Sequence, residues 1–172
     1  MNFPYYRRLR KVKKKFIGII MMLVLGSLTF ASYGNKGAEE DNNMTVQEMI
    51  KYAIEDEIFA KTEYDKIMKT FDIDRPFSNI KRAEETHMEM LKPLIEKYNV
   101  SYEKLDEKDL VIPKTLKGTF EIGVQAEIDN IAMYEKFLKE DKLPSDVREV
   151  FTYLRDGSKN HLRAFERQLR KY

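Results

Sequence analysis

The 172-residue sequence predicts an all-α protein, a four-helix bundle with one long crossover between its second and third helices. Three observations favour this fold class. Apolar residues recur at spacings of three and four in four separate segments, which is the period of an amphipathic helix. No segment shows strand-like alternation of any length. The connection between the two helix pairs is also much longer than the connection within each pair.

The chain begins with a basic segment followed by an apolar one. Residues 1–15 hold seven Lys or Arg and no acid, and residues 16–31 carry no charge. Such a pair, with small residues at its end, is typical of a secretory signal peptide, here cleaved before Ser32. The alternative is a retained membrane anchor, although 16 residues fall short of the about 20 that a spanning helix needs. We predict an exported protein (extracellular, periplasmic or in the cell envelope), anchored in the membrane if the leader is kept.

The net charge of +2 comes from this leader. Residues 1–36 hold eight basic and no acidic residues, so residues 37–172 hold 23 basic and 29 acidic residues, a net charge of −6. A mildly acidic domain gives no indication of nucleic-acid binding. The chain has no cysteine, which excludes disulfides, thiol chemistry and a lipid-modified cysteine after the leader.

A linker and the first helix follow the leader. Residues 32–43 are polar and rich in turn formers, and we interpret them as a linker to a helical domain over residues 44–172. Thr45 and Glu48 have the spacing of a capping box, in which the two side chains bond to free amides at the start of a helix. The helical spacing then continues to Phe71.

The second and third helices flank the crossover. Pro76 suits the first turn of a helix, which runs to about Lys97. Residues 99–113 contain no periodic stretch, so they predict the long connection. A third helix follows from about Lys114 to Glu140.

The fourth helix opens at Pro144, and most of its length repeats the second helix. Residues 77–98 and 151–172 align without a gap over 22 positions. His87 and His161, the only histidines, occupy equivalent positions in this alignment. Equivalent histidines on two amphipathic helices favour a shared site.

Polar residues interrupt the apolar stripes at regular places. Glu57 lies seven residues before Tyr64 on the first helix, and Glu127 lies seven before Tyr134 on the third. Seven residues are nearly two turns, so each Glu shares a face with its apolar neighbours. On the second helix Glu84 and the histidine three residues later also point inward together.

These residues predict a metal site inside the bundle. A buried carboxylate without a partner costs several kcal/mol unless its pKa rises, and no Lys or Arg lies on the same stripes. Divalent cations would neutralise the carboxylates, and oxygen ligands with two imidazoles suit iron, manganese or zinc. The candidate ligands are Glu57, Glu84, His87, Glu127 and His161.

The pattern resembles the ferritin-like superfamily, most closely its rubrerythrin side, and an uncharacterised family of ferritin-like domains. Glu57-x-x-Ala60-x-x-x-Tyr64 and Glu84-x-x-His87 carry the resemblance, which covers about residues 46–170. It implies a di-iron carboxylate bundle that acts on dioxygen or peroxide, with two iron ions, or manganese, zinc or a single ion instead. Rubrerythrins also carry a four-cysteine electron-transfer site, which this chain lacks, so the electron donor would be external.

One position departs from the family pattern. The fourth helix carries Ser158 where the repeat places Glu84, so one carboxylate is missing. The site would then be asymmetric, hold one metal, or leave an open coordination position. Asn130, one turn after Glu127, is a candidate to supply an amide oxygen.

Several alternatives stay open at this level. Tyr64 and Tyr134 are either ordinary core aromatics or donors that orient the ligand carboxylates. The protein is either a di-metal oxidoreductase or a non-catalytic helical module of the envelope, stabilised by metal. Iron storage in a large shell is a third hypothesis, and a homodimer is compatible with the sequence.

Overall fold

The computed structural model describes residues 34–172. Over this range the chain forms five α-helices and one 3₁₀ turn, and it contains no β-strand, so the all-α prediction is confirmed. The elements are α1 (Gly34–Glu40), α2 (Val46–Phe71), α3 (Phe77–Lys97), the 3₁₀ turn η1 (Glu107–Asp109), α4 (Leu116–Phe137) and α5 (Ser145–Leu169).

The predicted leader, residues 1–31, lies outside the described residues, as does its cleavage site before Ser32. Across residues 34–172, no helix combines the length and the apolar character that crossing a membrane requires.

Side chains mark the starts of α2 and α4. The predicted capping box is present: the Glu48 N–H donates to Thr45 Oγ1 at 3.3 Å, and the Thr45 N–H donates to Glu48 Oε2 at 2.7 Å. Helix α4 begins two residues later than predicted, because Thr115 caps it by accepting the Gly118 N–H at 3.1 Å. Free amides at a helix start need such acceptors, so these side chains define where the helices begin.

The interpretation of residues 32–43 as a linker needs correction, because helix α1 occupies most of this stretch. The Lys136 ammonium of α4 donates to the carbonyls of Ala38 at 2.6 Å and Asp41 at 2.5 Å, which satisfies the end of α1. Ala38 is buried, and at the other end Glu55 and Asp56 accept the first amides of the segment. The short helix is therefore part of the folded domain.

The directions of the four long helices follow from contacts between their ends. Helices α3 and α5 are antiparallel, since Lys97 at the end of α3 pairs with Asp146 at the start of α5 at 2.6 Å. Helices α2 and α4 are antiparallel as well, and each is antiparallel to its hairpin partner. Hence α3 and α4 run in the same direction, and the chain between them must return along the bundle.

The crossover lies against α2 on this return. The Glu103 N–H donates to Glu55 Oε1 at 3.3 Å, and further on Lys66 donates to the carbonyls of Glu107 and Leu110 at 2.9 and 2.6 Å. The long connection is thus fixed to the bundle along its length.

Two aromatic clusters close the bundle on either side of its middle. One contains Phe137 and Phe151, with ring centroids 5.3 Å apart, beside Tyr134. The other contains Phe77 stacked on Phe120 at 5.5 Å, with Tyr64 and Phe165 against them. All these rings are buried, so the polar residues between the clusters are shielded from water along the bundle axis.

Candidate metal centre

The five predicted ligands meet between the two aromatic clusters. Helix α2 supplies Glu57, α3 supplies Glu84 and His87, α4 supplies Glu127, and α5 supplies His161. All are buried, and the most exposed of them, His161, has 6% of its surface accessible. The structure therefore brings together every residue that the sequence placed at the site.

The first group joins α2 and α3. His87 Nδ1 lies 3.0 Å from Glu57 Oε2 and 2.9 Å from Glu84 Oε2. The i, i+3 spacing of Glu84 and His87 puts carboxylate and imidazole on successive turns of one helix face, as the sequence indicated.

The second group shares Glu84 with the first and adds α4 and α5. His161 Nδ1 lies 3.1 Å from Glu84 Oε1 and 3.5 Å from Glu127 Oε1. Neither contact has hydrogen-bond geometry, so the buried Nδ1 atom has no hydrogen-bond partner. Glu127 Oε2 is buried and unpaired as well. The two oxygens of Glu84 thus face one histidine each.

The two tyrosines bond across the bundle rather than along their own helices. The Tyr64 hydroxyl of α2 donates to Glu127 Oε1 at 3.1 Å, and the Tyr134 hydroxyl of α4 donates to Glu57 Oε1 at 2.7 Å. Both tyrosines are fully buried. Of the two interpretations of these residues, the structure favours the one in which they hold the carboxylates in place.

Ser158 and Asn130 pair with each other at the edge of the site. The Asn130 amide donates to Ser158 Oγ at 3.2 Å, and the Ser158 hydroxyl donates to the Leu154 carbonyl at 3.2 Å. Asn130 Oδ1 is buried without a hydrogen-bond partner. The place of the missing carboxylate is therefore taken by a small neutral pair.

Burial and mutual charge shift the pKa values of the group in opposite directions. Burial raises the pKa of Glu57 to about 7, although the nearby His87 works against the shift. Burial would also raise the pKa of Glu84, but the two histidines outweigh it and lower the value to about 2. Burial would lower both histidine pKa values, yet the carboxylates raise that of His87 to about 10 and that of His161 to about 11. Cationic charge is strongly favoured where the histidines face the carboxylates.

Two residues that the sequence analysis did not single out contact His87. A Cβ atom added at Gly157 would lie 2.5 Å from His87 Nε2, so only glycine lets α5 approach this ring. The ring of Tyr153, about half exposed, stands edge-on to His87 with centroids 5.9 Å apart. Gly157 had a signal, because an isolated glycine within a helical pattern often marks a close approach. Tyr153 had none, since it lies off the apolar stripe.

The donor set fits divalent metal ions. Glu57, Glu84 and His87 each offer one atom within 4.8 Å of the others, and so do Glu84, Glu127 and His161. Oε2 of Glu127 is an unpaired donor atom that a cation would satisfy, and Nδ1 of His161 would become one when a metal displaces its proton. Carboxylate and imidazole together suit borderline metals such as iron, manganese and zinc.

The fold and the site define an all-helical bundle protein with buried Glu/His groups that could hold a metal ion. The chain belongs to the family described as "Uncharacterized protein domain (DUF2202)", whose pattern matches residues 46–172.

The chain is also similar to a relative and to a solved structure. The chain is 34% identical over 116 residues to "Uncharacterized protein MJ0754" of Methanocaldococcus jannaschii, a match that covers 56% of this chain and 60% of the relative. The crystal structure of hypothetical protein MJ0754 from Methanococcus jannaschii DSM 2661 has a TM-score of 0.64 and 26% identity to this chain. That match covers 77% of this chain and 85% of the other.

Proposed function

We propose that this protein is a ferritin-like di-metal carboxylate protein that reduces dioxygen or peroxide, with iron as its metal. The observation that carries the proposal is the sharing of Glu84 by two groups of buried donors. One oxygen of Glu84 lies near His87 and the other near His161, so this carboxylate would contribute a ligand atom to each group. Such pairs of sites in helical bundles are typical of di-iron and di-manganese proteins.

The direction of the helices supports the same class. In the ferritin-like topology two antiparallel hairpins are joined by one long crossover between parallel helices. Here α3 and α4 run in the same direction, and the crossover lies along α2 from Glu55 to Lys66. These helix directions therefore support the proposal.

The chain supplies ligands, charge and a dry environment to such a centre. Bound iron would supply the electrons for cleavage of an O–O bond. Glu57 and Glu127 would each close one end of the site, and the tyrosine hydroxyls would hold them there. The neutral Asn130–Ser158 pair stands where the internal repeat would place a fourth carboxylate. Because the chain has no cysteine, re-reduction would depend on an external electron donor.

Iron binding and oxidation test this proposal. Anaerobically purified protein should bind about two Fe(II) per chain, one for each group of donors, and addition of peroxide should produce a new near-ultraviolet absorption band. His87→Ala and His161→Ala should each lose iron, while Tyr98→Phe, remote from the site, should not. Unchanged iron content in both histidine variants would overturn the proposal.

A non-catalytic, metal-stabilised module is the second candidate. The observation in its favour is the mutual charge compensation of the site, where three carboxylates face two histidines of raised pKa. In that case chelation would lower the melting temperature, but the iron-loaded protein would show no turnover with peroxide and a reductant. A mass near that of a monomer or dimer in gel filtration would exclude a storage shell for either candidate.

A further inference from the structure

An open pocket with a mixed polar and apolar wall lies outside His161, between the first turn of α3 and the second half of α5. Its volume is about 320 Å³. His161 Nδ1 is inaccessible and faces the carboxylates, so the exposed part of the imidazole is another edge of the ring. That edge is part of the pocket wall. The pocket is therefore separated from the metal site by a single side chain.

The charged residues of the pocket are all basic. Arg75 and Arg167 line it, and none of the described residues in its wall is acidic. Arg75 approaches Asp74 only at 3.9 Å, with both side chains more than two-thirds exposed, so this contact leaves its charge largely available. Guanidinium groups present several N–H donors in a planar fork that matches the oxygens of an oxyanion.

The amides of the pocket are oriented by basic neighbours. The side-chain oxygen of Asn79 accepts from Arg82, and that of Asn160 accepts from Arg163. In the same way, the Lys171 ammonium donates to Gln168 Oε1 at 2.6 Å.

This orientation determines which amide atoms can meet a ligand. Each of the three amide oxygens already accepts one bond, while the NH₂ groups offer donors to a ligand. The pocket wall thus combines positive charge with amide donors.

We propose that this pocket binds a small inorganic oxyanion against the outer edge of His161. Two arginines and three donor amides provide the charge and hydrogen bonds for such an anion, and the volume admits one of phosphate size. Where the proposed function also holds, the anion touches an imidazole that ligates metal and tunes its basicity. That consequence rests on the proposed function, but the anion site itself does not.

Titration of the metal-free protein with inorganic phosphate tests the pocket. In amide NMR spectra we expect saturable shifts of the NH₂ signals of Asn79, Asn160 and Gln168. The residue-specific signals distinguish this pocket from the basic segment at residues 1–15. Arg75→Gln combined with Arg167→Gln removes two charged hydrogen-bond donors and should weaken binding at least about tenfold.

Arg170→Gln is the matched control, since Arg170 lies near the same end of α5 but outside the pocket wall. It should leave phosphate affinity within about twofold of wild type, far less than the effect of losing a charged hydrogen bond. Absence of saturable shifts at the three amides, or equal affinity in the double variant, would overturn the proposal. Because no metal is present, neither result depends on the metal-binding function.

Discussion

Tyr134 of α4 donates a hydrogen bond of 2.7 Å to Glu57 of α2, across the middle of the bundle. The reverse bond, from Tyr64 of α2 to Glu127 of α4, is 3.1 Å long. In each Glu-x₆-Tyr segment the tyrosine thus donates to the glutamate of the other segment, so each helix orients the carboxylate of the other. This exchange ties the two helix hairpins together at the level of the candidate metal centre.

Removal of the Tyr134 hydroxyl should weaken both the fold and metal binding. Tyr134→Phe leaves Glu57 Oε1 without its donor in a fully buried position, a loss of about 1–3 kcal/mol. A lost partner of a ligand typically reduces metal affinity by about 10–100-fold. Thermal melts of the metal-free protein and Fe(II) titrations measure the two effects.

Tyr98→Phe is the control for this experiment, because Tyr98 also donates to a carboxylate, that of Asp146 at 3.2 Å, but far from the site. It should reduce stability only slightly and leave metal affinity unchanged. Equal metal affinity in Tyr134→Phe and wild type would contradict the orienting role.

Gly157→Ala should destabilise the protein, although alanine normally stabilises a helix relative to glycine. Alanine in place of a mid-helix glycine normally stabilises by about 0.5–1 kcal/mol. Here the new Cβ would lie 2.5 Å from His87 Nε2, so the ring or the helix must move. We expect a destabilisation of about 1–3 kcal/mol, together with a lower metal affinity of the His87 group. A raised melting temperature with unchanged metal binding would show that His87 is not held against α5.

Ser158→Glu should restore the carboxylate that the internal repeat lacks. In the metal-free protein a further buried carboxylate repels its neighbours, so the melting temperature should fall. With metal the same carboxylate gains a partner, and the stabilisation by metal should exceed that of wild type. Ser158→Gln, which has the same shape without the charge, separates charge from size. Metal dependence that is equal in the Glu and Gln variants would argue against a ligand position at residue 158.

The stability of the metal-free protein should fall as pH rises from about 6.5 to about 10. The pKa of His87 is about 10 in the folded protein against 6.5 for a free histidine, and that of His161 shifts in the same direction. A raised folded-state pKa contributes stability below the unfolded value, and this contribution disappears as pH rises through the folded one. The pKa of Glu57 is raised from 4.5 to about 7, so its contribution declines between those two values, mostly below this interval. Glu84 acts in the opposite sense, but only below pH 4.5, because its pKa is lowered to about 2.

Melting temperatures at about pH 6 and about pH 9 measure this dependence. Metal competes with the histidine protons, so the stabilisation by added metal should grow over the same interval. The His87→Ala and His161→Ala double variant should show a flatter pH profile. A metal-free wild-type protein that becomes more stable between these pH values would contradict the assigned charges.

Sequence periodicity predicted the helices and the polar residues that lie on the inward face of each one. Glu57, Glu84 and His161 were found because polar residues on apolar stripes are visible in the order of residues alone. Periodicity could not predict the contacts between helices. The local sequence does not predict α1, because a carbonyl near its end accepts a hydrogen bond from Lys136 of α4, almost one hundred residues away. In the same way, the spacing of each Glu-x₆-Tyr pair does not say which carboxylate a tyrosine meets, and the structure shows that each hydroxyl bonds to the glutamate of the opposite helix.

Anomalous diffraction from crystals of the iron-loaded protein tests the shared site most directly. We expect two peaks, one among Glu57, Glu84 and His87 and one among Glu84, Glu127 and His161. Glu84→Gln should weaken both peaks together, because its two oxygens serve both groups. An absence of anomalous density at these five side chains in fully iron-treated crystals would contradict the account.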